Sequence, residues 1–261
     1  MRQPLSAVFI THNAAAQLAD GLASVAFADE TLVVDAGSTD GTVEIATRCG
    51  ARVLKRDWCG FGRQKQYAVE AARHDWVLCL DADERVSPEL AASVALELEA
   101  PRTFAYRVAR RNRFLGRWLA HGEGYPDWSV RLFDRRKARW SDDPVHEKVL
   151  YACAPGTLRG DLLHDSADDL ARYLEKQNRY TTLAAEALAA RGARASALRL
   201  VASPLFRFVK FYLVRGGFLD GVPGLVHIAI GCMNSFLKYA KLIEAARAHE
   251  TRTAGGRPEG R

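Results

Sequence analysis

Over its first hundred residues the chain alternates short apolar runs with amphipathic helical segments, and that alternation leaves few folds open. Leu5 to Ile10 is an apolar run broken by Thr11-His12-Asn13. Ala14 to Ala26 carries Leu18, Leu22 and Val25 at helical spacing. Glu30 to Asp35 (ETLVVD) reads as a second strand, followed by the turn-rich Ala36-Gly37-Ser38-Thr39-Asp40-Gly41. Thr42 to Cys49 reads as a helix with Asp40 or Ser38 as its N-cap. Ala51 to Lys55 is a third strand, Phe61 to Arg73 another helix, and Asp75 to Leu80 a fourth strand that ends on Asp81-Ala82-Asp83-Glu84. Ser87 caps the next helix, with Pro88 at its first position. Such alternation predicts a doubly wound, mostly parallel α/β sheet. Ligands bind beyond the carboxyl ends of the strands in these sheets. Three polar clusters lie there: Thr11 to Asn13, Asp35 to Asp40, and Asp81 to Asp83.

From Phe104 the pattern changes. Phe104 to Ala109 and Ser129 to Phe133 read as strands, separated by a loop rich in Gly, Arg and Trp. Ser166 to Ala190 reads as a long helix opened by a capping box from Ser166 to Asp169. Leu198 to Glu244 is apolar and basic together, and Ala248 onward reads as a disordered tail. The expected division is therefore an α/β domain over 1–163, a helical region over 164–247, and a tail over 248–261.

The net charge is +6 and unevenly spread. Arg102 to Arg139 holds 11 Lys/Arg against 3 Asp/Glu, and Arg194 to Arg247 holds 8 against 2. An anionic partner follows from that balance. No nucleic-acid signature accompanies it, so nucleic acid is not expected; nucleotide phosphates and anionic lipid fit. The five cysteines are odd in number and lack CxxC spacing, which predicts free thiols in a reducing cytoplasm. No charged segment leading into a long apolar stretch precedes the first strand, so no secretory leader is expected.

Asp81 and Asp83 place two carboxylates just past an apolar strand. Hard oxygen donors in that position suit Mg²⁺ or Mn²⁺ shared with substrate phosphates, and such an ion stabilises a departing diphosphate. The same pattern also suits a solvated turn or a helix cap. Asp35 ends a strand and could accept hydrogen bonds from a base or ribose, or cap its own turn. Gly37 and Gly41 permit close backbone approach. Neither GxxxxGK[ST] nor GxGxxG occurs, which removes the Walker loop and the dinucleotide fingerprint.

FITHNA, VVDAGSTDGT, GFGRQKQYA and LCLDADERVSPEL together resemble glycosyltransferase family 2, whose members have the GT-A fold. The chain looks most similar to the bacterial lipopolysaccharide core β-1,4-glucosyltransferase group. The likeness extends through YPDWSVRLFDRRKARW, PVHEKV and FYLVRGGFLDG…LKYAKL, over about residues 5–245. The resemblance implies a GT-A-type sheet with a helical, basic and apolar C-terminal appendage. It implies that Thr11, Asn13, Asp35 and Asp40, with Gly37 in the same loop, hold the uracil and ribose of a UDP-sugar. Gln64 and Lys65 would lie near the diphosphate or sugar, Asp81 would support the nucleotide, and Asp83 would ligate the metal with Asp81 beside it. It further implies inversion at the anomeric centre, a single displacement that needs one general base. Many members place that base in a Glu-Asp pair, which is missing between Asp83 and Leu163. The candidates are Glu147, in Val145-His146-Glu147, and then Asp127, in Tyr125-Pro126-Asp127-Trp128. His146 is a candidate metal ligand or acceptor contact.

Gly221 to Leu237 holds no charged residue but is interrupted by Pro223, Gly224, Gly231 and Asn234, which suits a membrane span poorly. Leu205 to Arg215 mixes aromatic rings with cations, which suits a helix lying on an anionic membrane surface. The expected location is cytoplasmic, peripheral on the inner face of the plasma membrane. A lipid-linked saccharide acceptor of the lipopolysaccharide inner core fits that location, with the arginines of Arg107 to Arg117 near its phosphates. The competing readings are a transferase acting on another polysaccharide or polyprenyl-linked acceptor, a sugar nucleotidyltransferase, and a non-catalytic membrane-associated protein that keeps the fold.

Overall fold

The computed structural model describes residues 2–143, 147–165 and 169–254, with side chains as far as Ala246. The alternation is present: β1 (Leu5–Thr11), α1 (Ala15–Ala23), β2 (Glu30–Asp35), α2 (Thr42–Arg48), β3 (Arg52–Lys55), α3 (Phe61–Ala71) and β4 (Trp76–Asp81). A short β5 (Glu84–Val86) precedes α4 (Pro88–Glu99). Then come β6 (Ala105–Phe114), β7 (Arg117–Trp118), β8 (Asp127–Asp134), β9 (Ala138–Trp140), β10 (Val149–Tyr151) and β11 (Gly156–His164). The helices α5 (Leu170–Ala190) and α6 (Ala197–Phe208) follow, then a π-helical turn (Val209–Val214), a 3-10 turn (Gly217–Asp220) and α7 (Gly221–Ala254). The chain forms two compact units, 1–113 with 125–166 and 114–124 with 167–261.

In the first unit the strand order is β3-β2-β1-β4-β8-β6-β11-β5. The four strands of the N-terminal alternation run parallel, and β6 and β11 are parallel. Antiparallel β8 joins the two sets, and β5 pairs antiparallel with β11. All seven residues of β1 are buried, as a strand at the centre of a two-sided sheet requires. One face packs Phe9, Leu78 and Leu80 against Leu18 and Leu22 of α1 and Leu90 and Val94 of α4. The other packs Val8, Ile10, Val34 and Phe133 against Ala68 and Val69 of α3. Each fully buried large side chain of this kind contributes about 1.5–3 kcal/mol.

Ser87 caps α4 as expected: its hydroxyl accepts from Leu90 N at 3.2 Å and also from Asp161 N of β11 at 3.1 Å. Neighbouring Gly160 has φ 84, and a Cβ there would lie 2.3 Å from Leu90 N, so only glycine lets β11 cross the start of α4. The N-cap of α2 is Gly41, at φ 89, and not Asp40 or Ser38 as expected; Asp40 stands one residue earlier, where its Oδ1 accepts from Thr42 N at 3.1 Å and its Oδ2 from Ala15 N at 3.1 Å, so one carboxylate serves two helix starts.

In the second unit α5 starts at Asp169, whose carboxylate accepts from Arg172 N at 2.8 Å. Ser166, the other half of the expected capping box, lies outside the described residues. Buried Asp220 accepts from Ala120 N and His121 N at 3.0 and 2.8 Å. Phe114, Tyr173 and His227 pack into one cluster of tilted and edge-on rings, and burial pushes the His227 imidazole down to about 4. Along α6 and the π-helical turn, Leu198, Val201, Leu205 and Leu213 lie on one helical stripe and are all exposed, with Phe206 and Val214 beside it. Among the described residues no single helix is long and apolar enough to cross a membrane. The helix α7 continues to Ala254, into the stretch expected to be a disordered tail; 255–261 lie outside the described residues.

Candidate active site

Register sets the site. Thr11 pairs with Asp35 across β1 and β2, and Ile10 pairs with Asp81 across β1 and β4. Asp35 and Asp81 therefore end strands on either side of β1, roughly 10 Å apart at two strand spacings.

Asp35 is fully buried. Its Oδ1 accepts from Gly37 N at 3.0 Å and Ser38 N at 2.9 Å, and its Oδ2 from Thr11 Oγ1 at 2.9 Å and Ser38 Oγ at 2.5 Å. Burial would raise its carboxyl, but these donors outweigh it and hold the group below the usual carboxylate range. Gly37 makes the turn with φ 87. Asn13, at φ 50, ties the adjoining loop: its N–H donates to Ser38 Oγ at 2.8 Å and its Oδ1 accepts from Thr39 N at 2.9 Å. Thr11, Asn13, Asp35, Gly37 and Asp40 thus come together as one pre-formed loop at the end of β1 and β2. In this arrangement Asp35 and Asp40 spend their oxygens on that loop and on helix starts.

Asp81 heads a chain of alternating charges. Lys65 Nζ lies 3.0 Å from Asp81 Oδ1 and 3.1 Å from Glu147 Oε1. Arg131 Nη2 lies 3.1 Å from Asp81 Oδ2 and 2.6 Å from Glu84 Oε1. Arg110 reaches Glu84 at 3.6 Å and Asp127 at 2.6 Å. Glu147, Lys65, Asp81, Arg131, Glu84, Arg110 and Asp127 thus form one line that links both candidate bases. Burial would raise the Asp81 carboxyl; Lys65 and Arg131 more than offset it and hold the group well below its ordinary range. Glu84 is raised instead, by complete burial and by the charge of Asp81, against the pull of Arg131. Its Oε2 also accepts from Asp81 N at 3.0 Å.

Asp83 points elsewhere along the same strand exit. Its Oδ2 lies 3.2 Å from His164 Nε2, at the end of β11, and His164 Nδ1 lies 2.7 Å from Asn112 Oδ1. The Asn112 oxygen can accept from Nδ1–H, which leaves Nε2 facing the carboxylate, either with a proton of its own or as a lone pair open to a cation. A carboxylate oxygen and an imidazole nitrogen at that separation hold a proton between them, or a cation in its place. Asp83 and His164 therefore fit a pair of metal ligands. Among the described residues no cluster of three His, Cys, Asp or Glu side chains could hold a metal, so the remaining positions of an ion would fall to substrate oxygens and water.

Gln64 is not at this cluster. It is buried, its Nε2 donates to Arg56 O at 3.3 Å, and its Oε1 accepts from Cys59 Sγ at 3.3 Å. His146 lies outside the described residues. The arginine stretch is paired internally: Arg110 as above, Arg111 with Asp161 at 3.6 Å, and Arg113 with Asp165 at 2.8 Å. Sequence reasoning missed Glu84, Arg131, His164 and Asn112. Arg131 had a signal: a cation in an otherwise apolar strand must be paired. Glu84 stood next to the carboxylate motif. His164 had none, because the interior glycine and the charges of Arg159 and Asp161 hide β11 as a strand.

Residues 6–154 match the profile of glycosyl transferase family 2. The chain is 30% identical over 249 residues to the lipopolysaccharide core biosynthesis glycosyltransferase LpsC of Rhizobium meliloti (strain 1021), covering 92% of each. It is also 30% identical to an uncharacterised glycosyltransferase of Rickettsia typhi, covering 92% of this chain and 87% of that one. A mannosyltransferase of Pyrobaculum calidifontis, solved with GDP-Man and Mn²⁺, shares the fold with a TM-score of 0.52 at 16% identity, over 94% of this chain and 86% of that one. The fold is thus that of a GT-A transferase. The chain belongs to glycosyltransferase family 2.

The bonding of Asp35 sets a pH dependence. A carboxyl held low stabilises the fold above its unfolded pKa, about 3.9, and that contribution is lost as pH falls through the lower folded value. Asp35→Asn should cost about 1–3 kcal/mol at pH 7, because it leaves buried donors unmet. The gap to wild type should close in acid. Urea denaturation across a pH series measures it, and a gap of constant size would remove the assignment.

Proposed function

We propose that this transferase moves a hexose, glucose by preference, from a UDP-sugar to a saccharide acceptor of the lipopolysaccharide inner core or another lipid-linked glycan, with inversion. The observation that carries the reading is the single ammonium of Lys65 held between Asp81 and Glu147. That contact supports Glu147 as the base, since it brings its carboxylate within one cation of Asp81. The loop from Thr11 to Asp40 would take the nucleoside. Asp83 and His164 would hold Mg²⁺ or Mn²⁺, which supplies charge neutralisation of the departing diphosphate. Glu147 accepts the proton of the acceptor hydroxyl as its oxygen bonds to the anomeric carbon and the bond to the diphosphate breaks. Lys65 orients the Glu147 carboxylate. Asp127, in its pair with Arg110, is the second candidate for the base. The acceptor class rests on the likeness to LpsC.

Glu147→Gln should abolish transfer, a loss of about 10² or more, while nucleotide affinity is retained. Turnover close to wild type would take Glu147 out of the role. Asp83→Ala and His164→Ala should each weaken nucleotide binding only when Mn²⁺ is present. Calorimetry showing the same loss with and without the ion would reject the metal pair.

A lipid-linked acceptor calls for a protein that can sit at a membrane. The exposed stripe Leu198, Val201, Leu205 and Leu213, with Lys210 and Arg215 in the same segment, where they lie over the Phe211 ring, supports a peripheral location on the inner face of the plasma membrane. Leu205→Asp with Leu213→Asp should lower cosedimentation with phosphatidylglycerol-containing vesicles about tenfold. Equal binding by both proteins, or none by wild type, would end the membrane reading.

A further inference from the structure

Two aromatic rings stand in water beside the proposed base. Trp58 is 48% exposed and Phe61 46%, and their rings meet edge to face at 4.7 Å. Large apolar side chains left exposed together are informative in a way that a single one is not.

The loop that carries them is built, not loose. Arg56 N donates to Asp35 O at 2.9 Å, which ties the loop to the end of β2. Inside it, the buried side chain of Gln64 bonds Arg56 O and Cys59 at once. Gln64 N donates to Gly60 O at 2.9 Å and closes the first turn of α3, which Gly60 enters at φ 98. A buried amide is thus spent on holding Trp58 and Phe61 in place while the rings themselves remain uncovered.

The next residue locates the rings. A Cβ at Gly62 would lie 2.2 Å from Ser141 O and 3.4 Å from Glu147 Cβ, so α3 starts directly against the segment bearing Glu147. The Phe61 ring is also 5.8 Å from Lys65 Nζ, the ammonium that pairs with Glu147.

A sugar ring presents one face of C–H groups and a rim of hydroxyls. The C–H face packs on an aromatic ring, whose face is electron-rich, while the hydroxyls stay free for hydrogen bonding. A hydroxyl must come within hydrogen-bond reach of its base. Rings beside Glu147 suit the acceptor, whereas the donor's diphosphate belongs with Asp83 and His164. We infer that Trp58 and Phe61 form the platform on which the acceptor saccharide rests while one hydroxyl is presented to Glu147. This rests on the assignment of Glu147 made above.

The test uses the full chain, UDP-glucose and deacylated lipopolysaccharide core oligosaccharide. Trp58→Ala should raise the KM for oligosaccharide about tenfold, the scale of one lost aromatic contact, and leave the donor KM unchanged. Trp58→Phe should recover most of the loss. Phe61→Leu, which keeps bulk but removes the ring, carries the test if the alanine variant loses its cooperative melt. A raised donor KM with the acceptor KM unchanged would assign the rings to the donor hexose and overturn the inference, as would no change in either. Titration of the oligosaccharide without donor separates the two readings. Trp58-dependent binding by a chain that transfers no sugar keeps the platform and removes the reaction. Normal transfer and normal binding without the Trp58 ring keep the reaction and remove the platform.

Discussion

The site depends on a line of seven alternating charges being complete. Glu84 and Arg131 are almost wholly buried, and each would be costly alone. Removing one partner from a buried pair costs about 3–5 kcal/mol, because the other is left uncompensated. Here each interior member has neighbours of opposite sign on both sides, from Lys65 through Arg110. The line joins α3, the end of β4, β5, β6 and β8, so elements far apart in sequence are fixed relative to one another. Asp81 is thereby held charged at the exit of β4.

The parallel half of the fold was legible because its strands and helices each carry one clear period. Strands Glu30 to Asp35 and Asp75 to Leu80 were bounded by turn residues and fell within a residue of their observed ends. The rest was harder for a physical reason. In β11, GTLRGDLLH, an interior glycine and charges at Arg159 and Asp161 hide the strand, and those residues serve the crossing with α4. In β6 the run Arg110 to Arg113 looks like a solvated loop, yet Arg110 is drawn in by Glu84 and Asp127.

The same limit governed the site. Acids at strand ends could be found from pattern, since the topology places strand ends together. Their partners could not, because pairing is decided by contacts between residues as distant as Asp83 and His164. Gln64 shows the reverse case. Its position in GFGRQKQ pointed toward the substrate, whereas its amide is turned inward to hold a loop.

The loop proposed to take the nucleoside is already knit together by Asp35, Asn13, Ser38 and Asp40. A segment stitched in advance surrenders little motional freedom when a guest arrives. On that proposal, discrimination between bases at this end of the sheet would come from fit to a pre-formed loop, and not from the gain of order around whichever nucleotide is present.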